Sequence, residues 1–211
     1  MALLTPTTRW MMINMTDIVF ATRNAGKMRE IKGCFQGTKY RILSLDDIGV
    51  NIEVVEDGAT FEANAAKKAR EICRAAGLLT LADDSGLEID WLAGEPGVDS
   101  ANFLGADTPY AVRCAKILDM LADAPNHKRG ARFVCVIAIA RPGCDDIITV
   151  RGMLEGEIAR TITGGGGFGY DPIFYVPECG KTTAQLDVAE KNRISHRGQA
   201  LKLAMEALDK L

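Results

Sequence analysis

Apolar positions along this chain follow two rhythms: short unbroken runs bounded by turn residues, and longer stretches with helical spacing. Their alternation predicts an α/β protein. Asp17 to Ala21 reads as a buried strand, and Thr22 to Lys27 turn the chain into a helix with Met28, Ile31 and Phe35 at helical spacing. Tyr40 to Leu45 reads as a second strand. From Thr60, a plausible N-cap, a long helix carries Phe61, Ala65, Ala69 and Ile72 on one face until Gly77 stops it. Leu78 to Ala82 is a further apolar run, expected to end in a turn at Asp83-Asp84-Ser85-Gly86. Gly86 to Gly105, rich in Gly and Pro, reads as a long functional loop. Thr108-Pro109 then reads as the start of a helix with Val112, Ala115, Leu118 and Leu121 or Ala122 facing inward. Arg132 to Ala140 and Asp146 to Leu154 form a strand pair around Arg141-Pro142-Gly143. Past the glycine run Gly164 to Gly167 the pattern is mostly loop until a closing helix from Ala200 with Leu201, Ala204, Met205 and Leu208.

Composition narrows the function classes. With 211 residues, 47% of them hydrophobic and 25% charged, one globular domain over residues 15–211 is the default. A net charge of -3 supplies no basic field for polymeric nucleic acid, although local Lys and Arg can grip a small anion. Six scattered cysteines without a Cys-x-x-Cys pair argue against a zinc ribbon or a disulfide scaffold and suit a reducing cytoplasm. Residues 1–14 lack both a basic start and a secretory apolar stretch, and read as a poorly ordered extension ahead of a second start at Met15. No segment has the apolar length of a membrane span.

Five stretches carry candidate chemistry. Asp83 and Asp84 repel one another, so a fold keeps them side by side where solvent, cations or a divalent ion balance the charge; a plain solvated turn is the rival reading. Thr22-Arg23-Asn24-Ala25-Gly26-Lys27 lies between strand and helix, where free N–H groups, the helix dipole and Lys27 converge on an anion such as a phosphate tail. It is not a Walker A loop, since Met28 stands where Ser or Thr would meet magnesium. Glu53, Glu56 and Asp57 form a second acidic cluster, either a partner of the tandem aspartates across a cleft or a solvated loop. Gly164 to Pro172 frames Phe168 and Tyr170, as a base-stacking wall or as a hinge whose aromatics plug the core. Lys191 to Gly198 packs Lys191, Arg193, Ser195, His196 and Arg197 together, donors suited to phosphate or a purine carbonyl. His127, in a polar stretch, reads as exposed.

In this order the blocks resemble the inosine triphosphate pyrophosphatase, or Ham1-like, family. The likeness covers nearly all of Asp17 to Leu211 and rests on Ala21 to Lys27, Thr60-Phe61 with Asn64-Ala65 and Lys67 or Lys68, Ala82 to Leu87, Gly94 with Pro96-Gly97-Val98 and Ser100-Ala101, Gly167 to Phe174, and Lys191 with Ile194 to Gly198. The resemblance implies a mixed central sheet flanked by helices, two lobes around a nucleotide cleft, and a homodimer. It further implies magnesium-dependent hydrolysis of ITP, dITP and XTP to monophosphate and pyrophosphate, with Mn²⁺ as an alternative ion. Carried over by position, Thr22, Arg23, Asn24, Ala25, Gly26 and Lys27 hold the triphosphate, Glu56 and Asp84 bind the metal, and Asp84 or Asp83 accepts the proton. Ser85, Phe168, Gly169, Tyr170, Asp171, Lys191, His196 and Arg197 then surround the nucleotide. Ala63, Asn102 and Gln185 depart from the family pattern, where glutamate, arginine and glutamate are usual. Two rivals remain at this level, a Maf-like pyrophosphatase of modified pyrimidine triphosphates and a nucleotide sensor without turnover; the acidic pair disfavours the sensor.

Overall fold

A computed structural model describes residues 15–211, and the N-terminal extension expected over 1–14 lies outside them. The chain opens with β1 (Thr16–Phe20), α1 (Ala25–Phe35) and β2 (Tyr40–Leu43), followed by an irregular segment that leads to α2 (Phe61–Ala76). Both ends of α2 follow from its sequence. Thr60 accepts a hydrogen bond from the Ala63 amide at the start, and Gly77 closes the end with φ 65°, where a residue without Cβ is least strained. β3 (Thr80–Ile89) is ten residues long, and two 3-10 turns, Asp90–Leu92 and Gly97–Ala101, lead to α3 (Tyr110–Met120). The hairpin β4 (Gly130–Ala140) and β5 (Ile148–Ile158) follows, then the short β6 (Phe174–Val176) and β7 (Lys181–Thr182), and finally α4 (Val188–Ile194) and α5 (His196–Leu208).

All seven strands join one sheet in the order β2-β1-β3-β4-β5-β6-β7. β1 runs parallel to β2 and β3, and the remaining pairs are antiparallel. One core packs α1 and α5 on one face, through Ile31, Phe35, Leu201 and Ala204. A second packs α2 on the other, through Phe61, Ala65, Ala69 and Ile72. A third, around Ile117, Leu121, Phe133, Ile173 and Phe174, builds a second lobe at the far end of the long strands. Among the described residues no helix is long and apolar enough to cross a membrane.

Four expectations are corrected. The tandem aspartates do not sit in a turn: β3 runs straight through them, paired with β4 from Thr80↔Ala140 to Ile89↔Ala131. Turn propensity in Asp-Asp-Ser-Gly gives way to this ladder. Gly86 serves close approach instead, because a Cβ there would lie 2.2 Å from the Gly97 carbonyl oxygen. The Gly86 to Gly105 stretch accordingly begins as strand up to Ile89 and continues through the two 3-10 turns and the irregular segments between and after them. In α3, Arg113, Cys114 and Ile117 are buried while Val112 is exposed, and Thr108 gives no cap, its hydroxyl donating to the Leu104 carbonyl. The stretch before Ala200 is helical. Asp187 and Glu190 form a capping box for α4, and Ser195 caps α5, so that helix starts at His196.

Candidate active site

Alternation along β3 sends Asp83 and Asp84 to opposite faces of the sheet. Asp83 points toward α1 and α5 and has no exposed surface. Its Oδ2 meets the Lys27 ammonium at 2.9 Å and accepts the Ser85 hydroxyl at 2.9 Å, with Arg197 Nε 3.5 Å away. Burial alone would raise its pKa, but Lys27 and Arg197 overcome that and hold the carboxyl well below the usual range. Arg197 also donates to Glu30 at 2.6 Å and to Ser85 Oγ at 3.0 Å. Lys191 bridges Glu30 at 2.7 Å and Asp171 at 2.6 Å. Three cations thus alternate with three carboxylates in a buried chain, each charge matched, as burial of ions requires.

Asp84 faces α2. Its Oδ2 accepts from Asn64 Nδ2 at 3.0 Å and its Oδ1 from the Ser85 amide at 2.9 Å. Burial raises its pKa to about 6, with the Glu56 charge adding to the rise and Asn64 and Lys68 opposing it. Glu56, Lys68 and Asp84 line one cavity of about 370 Å³, within the range of small-molecule sites. Glu56 pairs with Lys68 at 2.8 Å, while Asp57 turns away to Lys67. No cluster of three or more His, Cys, Asp or Glu able to hold a metal exists among the described residues. Two carboxylates facing one cavity therefore suit a hard ion completed by water and phosphate, as magnesium is held, rather than an all-protein cage.

The other wall of the cavity begins at the end of β1. Asn24 caps α1 by accepting the Lys27 amide at 3.0 Å, and Thr22 Oγ1 accepts the Asn24 amide at 3.2 Å. The amides of Ala25 and Gly26, at the positive end of the helix, donate to no acceptor among the described residues, and neither residue lines the cavity. Lys27 spends one of three ammonium donors on Asp83. Arg23 is directed elsewhere, to Asp46, the Val50 carbonyl and Asn51, so it braces the loop ahead of the acidic cluster.

The aromatic frame divides the two readings of the glycine segment. Phe168 lines the cavity, with Lys191 and Arg197 4.8 Å and 5.4 Å from its ring, and a methyl at Gly26 would come within 2.7 Å of that ring. Tyr170 also lines the cavity but is anchored in the core: it is buried, stacks edge-on against Tyr110 and donates to the Ser100 carbonyl at 2.8 Å. Gly169 lines the cavity with φ 69°, while Asp171 accepts from the Phe168 amide, Thr183 and Lys191 and is fully engaged. His196 stacks on Phe133 with ring centroids 4.8 Å apart, and its buried Nδ1 has no partner. Burial, together with Arg197 and Lys191, lowers its pKa well below the usual value, so the ring is neutral. His127 is exposed.

Of the residues named from sequence, Thr22, Arg23, Asn24, Lys27, Glu56, Asp84, Ser85, Phe168 to Asp171, Lys191, His196 and Arg197 line one cavity, whereas Ala25, Gly26 and Asp83 do not, and sequence reasoning missed Glu30. Its signal was a charge three residues after Lys27 on the buried stripe of α1, whose partners arrive only with Lys191 and Arg197. Asn64 and Lys68 carried a resemblance without a role, and Phe133 gave no local signal.

The Ham1 family model matches residues 18–207. The dITP/XTP pyrophosphatase of Desulforamulus reducens is 50% identical over 194 residues, covering 92% of this chain and 96% of that protein. That of Geobacter sulfurreducens is 47% identical over 194 residues, covering 92% and 97%. Among solved structures, a HAM1 protein from Coxiella burnetii superposes with a TM-score of 0.84 at 41% identity, over 93% of this chain and 100% of that one. A nucleoside-triphosphatase / dITP/XTP pyrophosphatase from Mycobacterium abscessus gives a TM-score of 0.70 at 41% identity, over 90% and 98%. With a family model spanning most of its length and relatives at this level of identity, the chain belongs to the Ham1 family.

Proposed function

We propose that this protein hydrolyses non-canonical purine nucleoside triphosphates, dITP, XTP and ITP, to the monophosphate and pyrophosphate with the help of Mg²⁺. Family membership and the name shared by the relatives support the reaction class. The observation that carries the chemistry is Asp84: a carboxyl raised to about 6, facing Glu56 in a cavity whose opposite wall presents Lys27 and the start of α1. A base poised near working pH is the kind a proton transfer from water needs.

In this reading Lys27 and the positive end of α1 hold the phosphate tail. Asp84 takes the proton of a water that attacks the α-phosphorus, and pyrophosphate departs toward the cationic wall. When bound at Glu56 and Asp84, magnesium would offset phosphate charge and polarise the attacked centre; Mn²⁺ could replace it. Asp83 is no rival for the base, because Lys27 and Arg197 hold it ionised and sealed. Phe168 offers a stacking face for the purine. Arg197 has its guanidinium committed to Glu30, Ser85 and Asp83, so the neutral His196 is the better placed donor to a 6-oxo group. A 6-amino purine would then leave a buried donor unpaired, a discrimination of large rather than mild size. Work as a homodimer in the cytoplasm is part of the same reading.

The test is product identity across a nucleotide panel. Pyrophosphate should be released from dITP, XTP and ITP far faster than from dATP or dTTP, and only with a divalent ion. Orthophosphate as first product, or preference for the pyrimidine, would overturn the reading.

A further inference from the structure

The two candidate metal carboxylates come from different parts of the chain, and a single side chain ties them together. Asn64 is 3% exposed, in the first turns of α2. Its Oδ1 accepts the Gly58 amide at 2.7 Å, and its Nδ2 donates to Asp84 Oδ2 at 3.0 Å. Gly58 follows Glu56 by two residues, so one carboxamide grips the backbone of the acidic loop with one end and the Asp84 carboxylate with the other. We infer that Asn64 is a positioning residue that fixes the separation of Glu56 and Asp84, an inference that rests on the metal reading given above.

Three independent features agree with this role. A backbone N–H requires an acceptor and an ionised carboxylate requires a donor, so only one orientation of the amide satisfies both. A side chain of this size that accepts at one end and donates at the other is a carboxamide; Asp keeps only the acceptor and Leu keeps neither. The loop also seats directly on the helix: a Cβ at Gly58 would lie 2.7 Å from Asn64 Oδ1 and 2.8 Å from Ala63 Cβ. One turn further along α2, Lys68 pairs with the Glu56 side chain at 2.8 Å. The loop is therefore held three times by one helix, by its backbone at Asn64 and by the carboxylates of Glu56 and Asp57 at Lys68 and Lys67. Of these three contacts only that at Asn64 also reaches across to β3.

Partners that orient metal ligands commonly change metal affinity or activity by ~10–100-fold when removed. Asn64→Leu, Asn64→Asp and Glu56→Gln are compared with the parent by four readouts: thermal unfolding, hydrogen exchange at the Gly58 amide, the dissociation constant for Mn²⁺ without nucleotide, and kcat and KM for pyrophosphate release from dITP. Asn64→Leu is expected to deprotect the Gly58 amide, to weaken Mn²⁺ binding by ~10–100-fold, and to lower kcat while KM for the nucleotide moves little. Asn64→Asp keeps the acceptor, so Gly58 stays protected while kcat falls. A folded Asn64→Leu with Gly58 protected as in the parent overturns the inference, as does parental Mn²⁺ affinity where Glu56→Gln weakens it. If Asn64→Leu does not fold, parental kcat in Asn64→Asp overturns it equally. A parent that binds no Mn²⁺ would sink the metal reading instead, and Gly58 exchange would still decide the tether.

Discussion

On the face of β3 that meets α1 and α5, Asp83 is sealed among matched charges, with Lys27 and Arg197 against it and Glu30, Lys191 and Asp171 completing the chain. One residue along, on the face that meets α2, Asp84 opens into a cavity that it shares with Glu56. The two carboxyls consequently leave their ordinary range in opposite directions, one down and one up to about 6. Identical side chains on consecutive positions thus do different work, and what separates them is the company each face of the sheet provides. At Asp83 the cations outweigh burial, whereas at Asp84 burial prevails.

The sharpest break of this contrast is Asp83→Asn. It leaves Lys27 and Arg197 buried without their shared counter-ion and should cost about 3–5 kcal/mol in urea unfolding at pH 7. The sign follows from the lowered pKa: the contribution of Asp83 is complete above the unfolded carboxyl value and fades on acidification, so the deficit shrinks as pH drops below about 4. A variant as stable as the parent at pH 7 would mean that the frame does not depend on this charge.

Asp84→Asn should act the other way. Turnover is expected to fall by about two or more orders of magnitude, as loss of a general base does. Stability should rise. With its pKa raised to about 6, native Asp84 keeps a proton in a range where the unfolded chain has lost it, so stability falls from about pH 4 to pH 6 and stays low above. An ionised Asp84 therefore costs the fold at most about 3 kcal/mol at pH 8, and its removal should raise Tm by about 2–4 °C for each kcal/mol recovered. Thermal scans of parent and variant in EDTA should converge below about pH 4. A variant less stable than the parent at pH 8 would refute this.

The smallest effect is expected at Thr60, whose cap starts the helix that presents Asn64 and Lys68 to the open face. Thr60→Ala should cost about 1 kcal/mol in unfolding, with kcat nearly unchanged once the protein is folded. A large loss of kcat would show that the helix start itself adjusts the acidic side.

Legibility in the sequence followed the range of the interactions. α2 was readable at both ends because Thr60 and Gly77 act on their own neighbourhood. The first strand, loop and helix were readable for the same reason, through Asn24 and the apolar stripe of α1. The tandem aspartates were misplaced into a turn because the ladder that extends β3 is supplied by β4, some fifty residues away. α4 announced itself through Asp187 and Glu190, a local signal that the surrounding polarity obscured. The stripe of α3 misled because Arg113 is buried against loop carbonyls, donating to Ala101, Gly105 and Ala106, where an apolar residue would be expected. The cavity residues were found by motif, but their division of labour was not, since Glu30 meets its partners only after the last two helices are in place.

The uninterrupted pairing of β3 with β4 has a corollary for insertions and deletions. Adding or removing one residue ahead of Asp83 would turn each aspartate to the opposite face of the sheet along with every apolar neighbour, sending Asp84 toward the cations of α1 and α5 and Asp83 toward α2. Misalignment would therefore disable the site even where the hydrophobic core tolerated it, so chemistry and assembly police the same register.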